Sequence, residues 1–393
     1  MPLGRDAVAR AATAVLCFIS FGQACALPEA TPEELGLSRY AVAEFLADFQ
    51  RRIDRKEVPG AVLLIARDGR VGVHAAVGYL DRDKRLPMRT DAIFGLASMT
   101  KPITAAAVMA LADAGKLRLG DPVSTLLPEL KDLRVGAKRE AARREMTILD
   151  LLRHTAGLGY PIEPLRAGSL SGMTSALAKL PLKHQPGSTW DYSIANDLLG
   201  RVIEVASGLG MDEYVRRRLT EPLGMEDTGF WVDAERADRL AQPARAARSP
   251  PRFFSGGAGM VSTAMDYANF CQMLLDGGVF DDKQVLSKES AEAMTSDQLP
   301  ATIRFAESAY HLSGGIVPGS GTKAGYGLGF GVQWHEETDG APRGEFWWVG
   351  DSGVSFVVNV EKRLIAILLT RQPDQFRHYL ALLRRLARAV VVR

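Results

Sequence analysis

Ser98-Met99-Thr100-Lys101 places a hydroxyl and a primary amine three residues apart, at the head of an Ala-, Met- and Leu-rich run that reaches Ala114 and closes at Gly115. On a helix, positions i and i+3 share a face, so the Lys101 amine comes within reach of the Ser98 hydroxyl. A neutral serine is a weak nucleophile, and acyl transfer requires a group that accepts its proton. A lysine desolvated at a helix N-terminus has its charged form disfavoured, which suits it to act as base or proton relay. The helix start adds backbone donors and positive dipole where negative charge develops. Four-residue patterns also arise by chance, and the plain alternative is an exposed first turn with a polar cap.

The elements that must hold this pair follow from periodicity. Leu35, Leu37, Val42, Phe45, Leu46 and Phe49 recur at helical spacing and predict an amphipathic helix over residues 33–53. Ala61 to Ala66 and Val71 to Val77 are β-rich runs joined across Asp68-Gly69, the dipeptide of a tight hairpin. Between 121 and 275, helical patterns interrupted by Pro and Gly turns run over Ile148–Leu152, Ala176–Leu180, Leu198–Ala206, Met211–Leu219 and Ala264–Leu275. Gly325–Trp334, Glu345–Val349, Val354–Val360 and Leu364–Thr370 then read as consecutive antiparallel strands, followed by a helix over Asp374–Val391. No internal repeat is present. The expected fold is α+β: an antiparallel β-sheet flanked by terminal helices, built from residues 27–120 together with 276–393, plus an all-helical lobe over 121–275. The site is expected in the crevice between them.

The chain has 393 residues, 47% hydrophobic and 24% charged, enough for a sizeable core without disulfides or metals. Its 48 basic and 46 acidic residues are spread along the sequence, which leaves no electrostatic footprint for nucleic acid. Arg377, Arg384, Arg385 and Arg388 gather near the end at spacings that predict the solvated face of the terminal helix. Arg5 and Arg10, an apolar run from Ala11 to Phe21 and the small-residue site Ala24-Cys25-Ala26 have the layout of a signal peptide over residues 1–26. Cleavage after Ala26 and a periplasmic or secreted protein are expected; lipidation at Cys25 is the weaker alternative, because Gly22-Gln23-Ala24 is a poor lipobox. No later segment approaches the roughly 20 apolar residues of a membrane span. Cys271 would then be the remaining cysteine, and the scattered histidines (His74, His154, His184, His311, His335, His378) imply no zinc site and no cofactor.

Five segments in order extend the argument: Phe94 to Thr104 around Ser98, Leu151-Leu152-Arg153-His154-Thr155-Ala156-Gly157-Leu158, Pro186-Gly187-Ser188-Thr189-Trp190-Asp191-Tyr192-Ser193, Pro222 to Phe230, and Ser255-Gly256-Gly257-Ala258-Gly259-Met260-Val261-Ser262-Thr263. Together they resemble the serine β-lactamase superfamily, in particular the class C β-lactamase-like branch that includes family VIII carboxylesterases. The resemblance implies Ser98 as the acylated nucleophile, Lys101 as its proton partner and Tyr192 as the phenol that completes proton transfer to the leaving group. A phenol active near neutrality needs adjacent ammonium groups, and Lys101 is the candidate. His154, within the second segment, is expected to be a structural histidine bonded to backbone.

Two departures from the β-lactamase pattern bear on substrate. Tyr192-Ser193-Ile194 stands where those enzymes have Tyr-x-Asn, and Trp348-Val349-Gly350 where they carry Lys-Thr-Gly on a late strand. Exchanging a cation for an indole removes the grip on a substrate carboxylate and supplies an apolar wall with one donor, which favours uncharged esters over anionic lactams. By the same likeness the N–H of Asp351, beyond Gly350, would pair with that of Ser98 as an oxyanion hole, with its carboxylate turned away. The expected activity is a serine carboxylic ester hydrolase for short-chain or small aromatic esters. The rivals are a β-lactamase or D-alanyl-D-alanine carboxypeptidase and a non-catalytic penicillin-binding sensor. Gly350-Asp351-Ser352-Gly353 imitates the trypsin nucleophile tetrapeptide and Lys323-Ala324-Gly325 imitates Lys-Thr-Gly, but neither has the surrounding signature.

Overall fold

The apolar runs near the two ends of the sequence meet in one sheet. The computed structural model describes residues 26–244, 248–307, 324–333, 344–373 and 375–392. The strands of that sheet, in chain order, are β1 (Gly60–Arg67), β2 (Arg70–Asp81), β3 (Leu86–Pro87), β4 (Ala324–Tyr326), β5 (Gly331–Gln333), β6 (Glu345–Gly350), β7 (Val354–Asn359) and β8 (Leu364–Thr370); among the described residues, four two-stranded pairs lie outside it. They pair antiparallel in the order β4-β5-β6-β7-β8-β1-β2-β3, so β1 from the start of the chain lies against β8 from its end. The β1–β2 hairpin turns through Asp68 (φ 51°) and Gly69 (φ 73°), the positive angles that a two-residue turn matched to strand twist requires.

Among the described residues the α-helices are α1 (Arg39–Asp54), α2 (Thr100–Asp113), α3 (Ile148–Leu152), α4 (Leu170–Leu177), α5 (Ala195–Ser207), α6 (Met211–Val215), α7 (Ala264–Leu275), α8 (Lys288–Thr295) and α9 (Phe376–Ala389). β8 is buried along its whole length, as a strand covered on both faces must be. On one face α9 lays Arg384 over the Trp347 ring, at 4.3 Å, and α1 joins α9 through Phe49 and Tyr379, 5.7 Å apart. On the other, Tyr267 of α7 packs on Phe356 at 5.1 Å. Because side chains alternate along a strand, Trp347 and Trp348 part company: Trp348, opposite Phe356 in the β6–β7 register, faces away from α9.

Several expectations shift in detail. The first helix begins at Arg39 rather than 33, because Ser38 caps it by accepting from the Ala41 N–H and Gly36 turns the chain before it at φ 63°. Gly325–Trp334, expected as one strand, is a hairpin: β4 and β5 pair around Gly327–Phe330, with Gly329 at φ 97°, and Trp334 lies outside the described residues. The helix expected at 176–180 starts at Leu170, where Ser169 caps it, and α8 was not anticipated. Helix α7, grouped by sequence with the helical stretch ending at 275, packs on β8 and β1. Arg384 departs from the solvated face predicted for it and bonds the buried Glu345 carboxylate and Gln333, whereas Arg377 and Arg385 are exposed. Among the described residues, no helix is long and apolar enough to cross a membrane. Residues 1–25, which hold the expected signal peptide up to its last residue, lie outside the described residues.

Candidate active site

A short 3-10 turn, Ala97–Met99, presents Ser98 at the entrance to α2. Ala97 adopts φ 46°, left-handed backbone that costs a non-glycine residue about 1–3 kcal/mol and persists only where its surroundings hold it. The surroundings do so: Leu96 N–H donates to Met260 O at 2.8 Å, Met260 N–H to Thr100 Oγ1 at 3.1 Å, and Tyr267 OH to Met99 O at 3.0 Å. Lys101, one turn on, is fully buried. Its Nζ donates to Gly257 O at 2.7 Å and to Ser98 Oγ at 3.2 Å.

Tyr192 arrives from the loop before α5. Its hydroxyl donates to Ser98 Oγ at 2.8 Å, and its ring lies 4.6 Å from Lys101 Nζ. The structure thus brings together the three side chains that the sequence separates by up to 94 positions. One electrostatic expectation fails. Burial drives the Tyr192 phenol well above its ordinary pKa, the bond to Ser98 opposes this only in part, and the charges of Asp197 and Asp351 push the same way as burial. Tyr192 is therefore a neutral hydrogen-bond donor, not an ionised base, because loss of hydration outweighs the bond to Ser98.

Trp348, at the end of β6, is buried with its ring 5.9 Å from Tyr192 and 5.5 Å from Tyr326. Its indole eases the Tyr192 phenol downward, while the buried nitrogen itself makes no hydrogen bond. Gly350 abuts the Ser98 turn so closely that a Cβ there would lie 2.2 Å from Leu96 O. Ser352 Oγ donates to Gly95 O at 2.8 Å and pins the following turn to the same segment, which is a structural use of the tetrapeptide that imitates a protease nucleophile. Asp351 is exposed, and its charge adds to the upward push on the phenols of Tyr192 and Tyr160. Lys323 lies outside the described residues, and Ala324-Gly325 belongs to β4, two strands away from β6.

His154 takes a bonded, uncharged place behind the phenol. Nδ1 accepts from the Ser193 N–H at 3.3 Å and lies 3.1 Å from Ser193 Oγ, its ring stands 4.8 Å from Tyr192, and burial followed by the Lys101 charge holds its pKa well below the ordinary value.

Two residues were missed by sequence reasoning. Asp197, in the first turn of α5, accepts from Ser255 Oγ at 2.6 Å and from Gly257 N–H at 3.1 Å, and so fixes the loop whose carbonyl holds Lys101. Burial raises its pKa against the pull of Ser255 and Lys101. Tyr160 stacks on Tyr192 at 6.1 Å. Asp197 follows Tyr192 by five residues and Tyr160 ends the Leu151–Leu158 segment by two, but nothing in residue type alone separates them from ordinary helix and loop positions. Among the described residues, no group of three or more His, Cys, Asp or Glu side chains is placed to hold a metal ion. A cavity of about 1010 Å³ beside Arg216, Glu221, Phe230 and Trp231 includes none of Ser98, Lys101 or Tyr192.

A sheet built from both chain ends, helices inserted between and a Ser-x-x-Lys turn at their junction define a protein of the β-lactamase-like fold. The chain belongs to the Beta-lactamase family, which matches residues 45–389. It is 37% identical over 286 residues to Protein Rv1367c of Mycobacterium tuberculosis, covering 64% of this chain and 71% of that protein. It is 38% identical to Esterase EstB of Burkholderia gladioli over 213 residues, half of this chain and 53% of the esterase. The solved structure of EstCE1, a hydrolase with promiscuous acyltransferase activity, superposes with a TM-score of 0.74 at 26% identity, covering 88% of this chain and 98% of its own.

Proposed function

We propose that the chain is an exported serine carboxylic ester hydrolase that works through an acyl-enzyme on Ser98. The observation that carries this reading is the double approach to one oxygen: Ser98 Oγ has Lys101 Nζ at 3.2 Å and Tyr192 OH at 2.8 Å. Lys101 accepts the Ser98 proton as Oγ attacks the ester carbonyl, and the tetrahedral oxyanion is stabilised by the N–H groups of Ser98 and Asp351. Tyr192, held neutral by burial, gives its proton to the departing alkoxide and recovers one from Lys101. Water then repeats the sequence on the acyl-enzyme and releases the acid. The approach of Gly350 to Leu96 supports the assignment of the Asp351 N–H, since it carries the end of β6 to the Ser98 turn.

Trp348 favours uncharged short-chain or small aromatic esters: its apolar face meets the substrate where a cation would meet a carboxylate. The names of Esterase EstB and of the hydrolase EstCE1 agree with ester chemistry. A fluorophosphonate label followed by peptide mass mapping tests the nucleophile, with modification expected at Ser98 and none in Ser98→Ala. Turnover of a short-chain ester and of nitrocefin by the same preparation tests the substrate. Dominant nitrocefin hydrolysis would transfer the chain to the lactamase reading, and labelling without turnover of either would make it a sensor.

A further inference from the structure

Beside the cleft, the helical lobe holds a second cavity of about 410 Å³, within the roughly 300–1,000 Å³ of ligand pockets. Of its twelve lining residues, seven are leucines and two are prolines. Its one cation, Lys183, is engaged with the buried Asp191 carboxylate at 2.8 Å. Packed interiors leave few voids larger than a water molecule, and water needs two to four polar partners that leucine side chains do not offer. The chemistry that matches such walls is an alkyl chain. Its rim is reachable from solvent: Tyr160 and Pro181 are exposed and Leu180 is half-buried.

Tyr160 links this cavity to Ser98. It lines the cavity, and its ring stacks on Tyr192, whose hydroxyl touches Ser98. Its phenol responds first to the Lys101 charge, which lowers its pKa, while burial and the neighbours Tyr192, Asp197 and Asp351 outweigh that pull.

We propose that the leucine-lined cavity is a subsite for an aliphatic arm of the ester substrate, with Tyr160 as the partition that sets how long an arm is accepted. This rests on the ester-hydrolase reading and extends it from short-chain esters to those bearing a longer alkyl group. Each methylene that moves from water into the cavity raises kcat/KM about fourfold.

The test reads two quantities. The first is the ratio of kcat/KM for p-nitrophenyl decanoate to that for the acetate, in the native protein, in Leu180→Trp, which fills the cavity from its half-buried rim, and in Tyr160→Ala, which opens the partition. The ratio is expected to fall at least tenfold in Leu180→Trp and to rise severalfold in Tyr160→Ala. The second is calorimetric binding of 1-decanol to Ser98→Ala and to Ser98→Ala/Leu180→Trp, which needs no catalysis; binding is expected to weaken at least tenfold in the double variant. If the ratio stays within twofold in Leu180→Trp while short esters are still hydrolysed, the subsite is overturned and the ester reading stands. If no ester is hydrolysed, the ester reading fails. Decanol binding then decides the cavity alone: sensitivity to Leu180→Trp upholds an alkyl site, and indifference to it overturns one.

Discussion

At the scale of single residues, Ser98 Oγ sits between two donors of different kind. Lys101 reaches it from the first turn of α2, three residues on, while Tyr192 approaches from another part of the chain and is held by its ring. The ring packs on His154 and Trp348, so Tyr192→Phe keeps that packing and removes only the proton. In the proposed reaction, this substitution lowers kcat by about 10²–10⁴-fold and leaves the melting temperature nearly unchanged. Steady-state kinetics beside a thermal scan check it, and a kcat within threefold of the native value would remove the phenol from the proton path. A buried carboxyl away from Ser98 contributes to the pH dependence of stability. Asp266 is buried near Asp227, accepts from Thr228 Oγ1 at 2.8 Å, and has its pKa raised from 3.8 to about 7, chiefly by burial. The folded chain then keeps a proton that the unfolded chain has released above its own value near 4, so this contribution to stability is complete below about pH 4 and is lost as pH rises through about 7. Asp266→Asn carries no such proton. Denaturant melts across pH 4–8 should show the native protein losing stability relative to Asp266→Asn up to about pH 7, with the difference flat above; parallel curves would refute the assignment.

At the scale of elements, the site depends on one close approach between backbone segments. The end of β6 touches the segment that leads into α2, and Gly350 permits this because any Cβ would meet Leu96 O at 2.2 Å and Val354 Cγ2 at 2.7 Å. The first of these is backbone and cannot swing aside. Gly350→Ala is expected to cost about 1–3 kcal/mol in a denaturant titration, with a larger proportional loss of turnover, because it pushes the strand away from Ser98. Unchanged turnover at reduced stability would separate the strand end from the reaction. Most elements were legible in sequence where a local signal marks them. The Asp68-Gly69 turn, α3 over Ile148–Leu152, α7 over Ala264–Leu275 and β8 over Leu364–Thr370 run as periodicity predicts. The β4–β5 hairpin was not legible as two strands, because alternation continues across a reversal that only the φ of Gly329 reveals.

At the scale of the whole molecule, segments from the two halves of the chain form one sheet, and the residues around Ser98 are drawn from α2, the loop before α5 and β6. Export of this assembly is a proposal that rests on residues 1–26. Intact mass of the protein recovered from the periplasm or medium of the expressing cell is expected to match a chain beginning at Leu27; a retained Met1 would refute processing at Ala26.

Sequence by itself determined the Ser98–Lys101 pair, since helical spacing is local and fixes which side chains share a face. It also determined the strand-rich ends and the family, because five short motifs in order survive without any knowledge of distance. What only the tertiary structure decided are quantities set by neighbours remote in sequence. Burial by aromatic rings makes Tyr192 a neutral donor rather than an anion. The Asp197 carboxylate holds the Gly257 loop against Lys101 from 60 positions away. Tyr160 lines a leucine-rich cavity and stacks on Tyr192. Desolvation and contact arise from which segments the fold packs together, and local spacing carries no record of them.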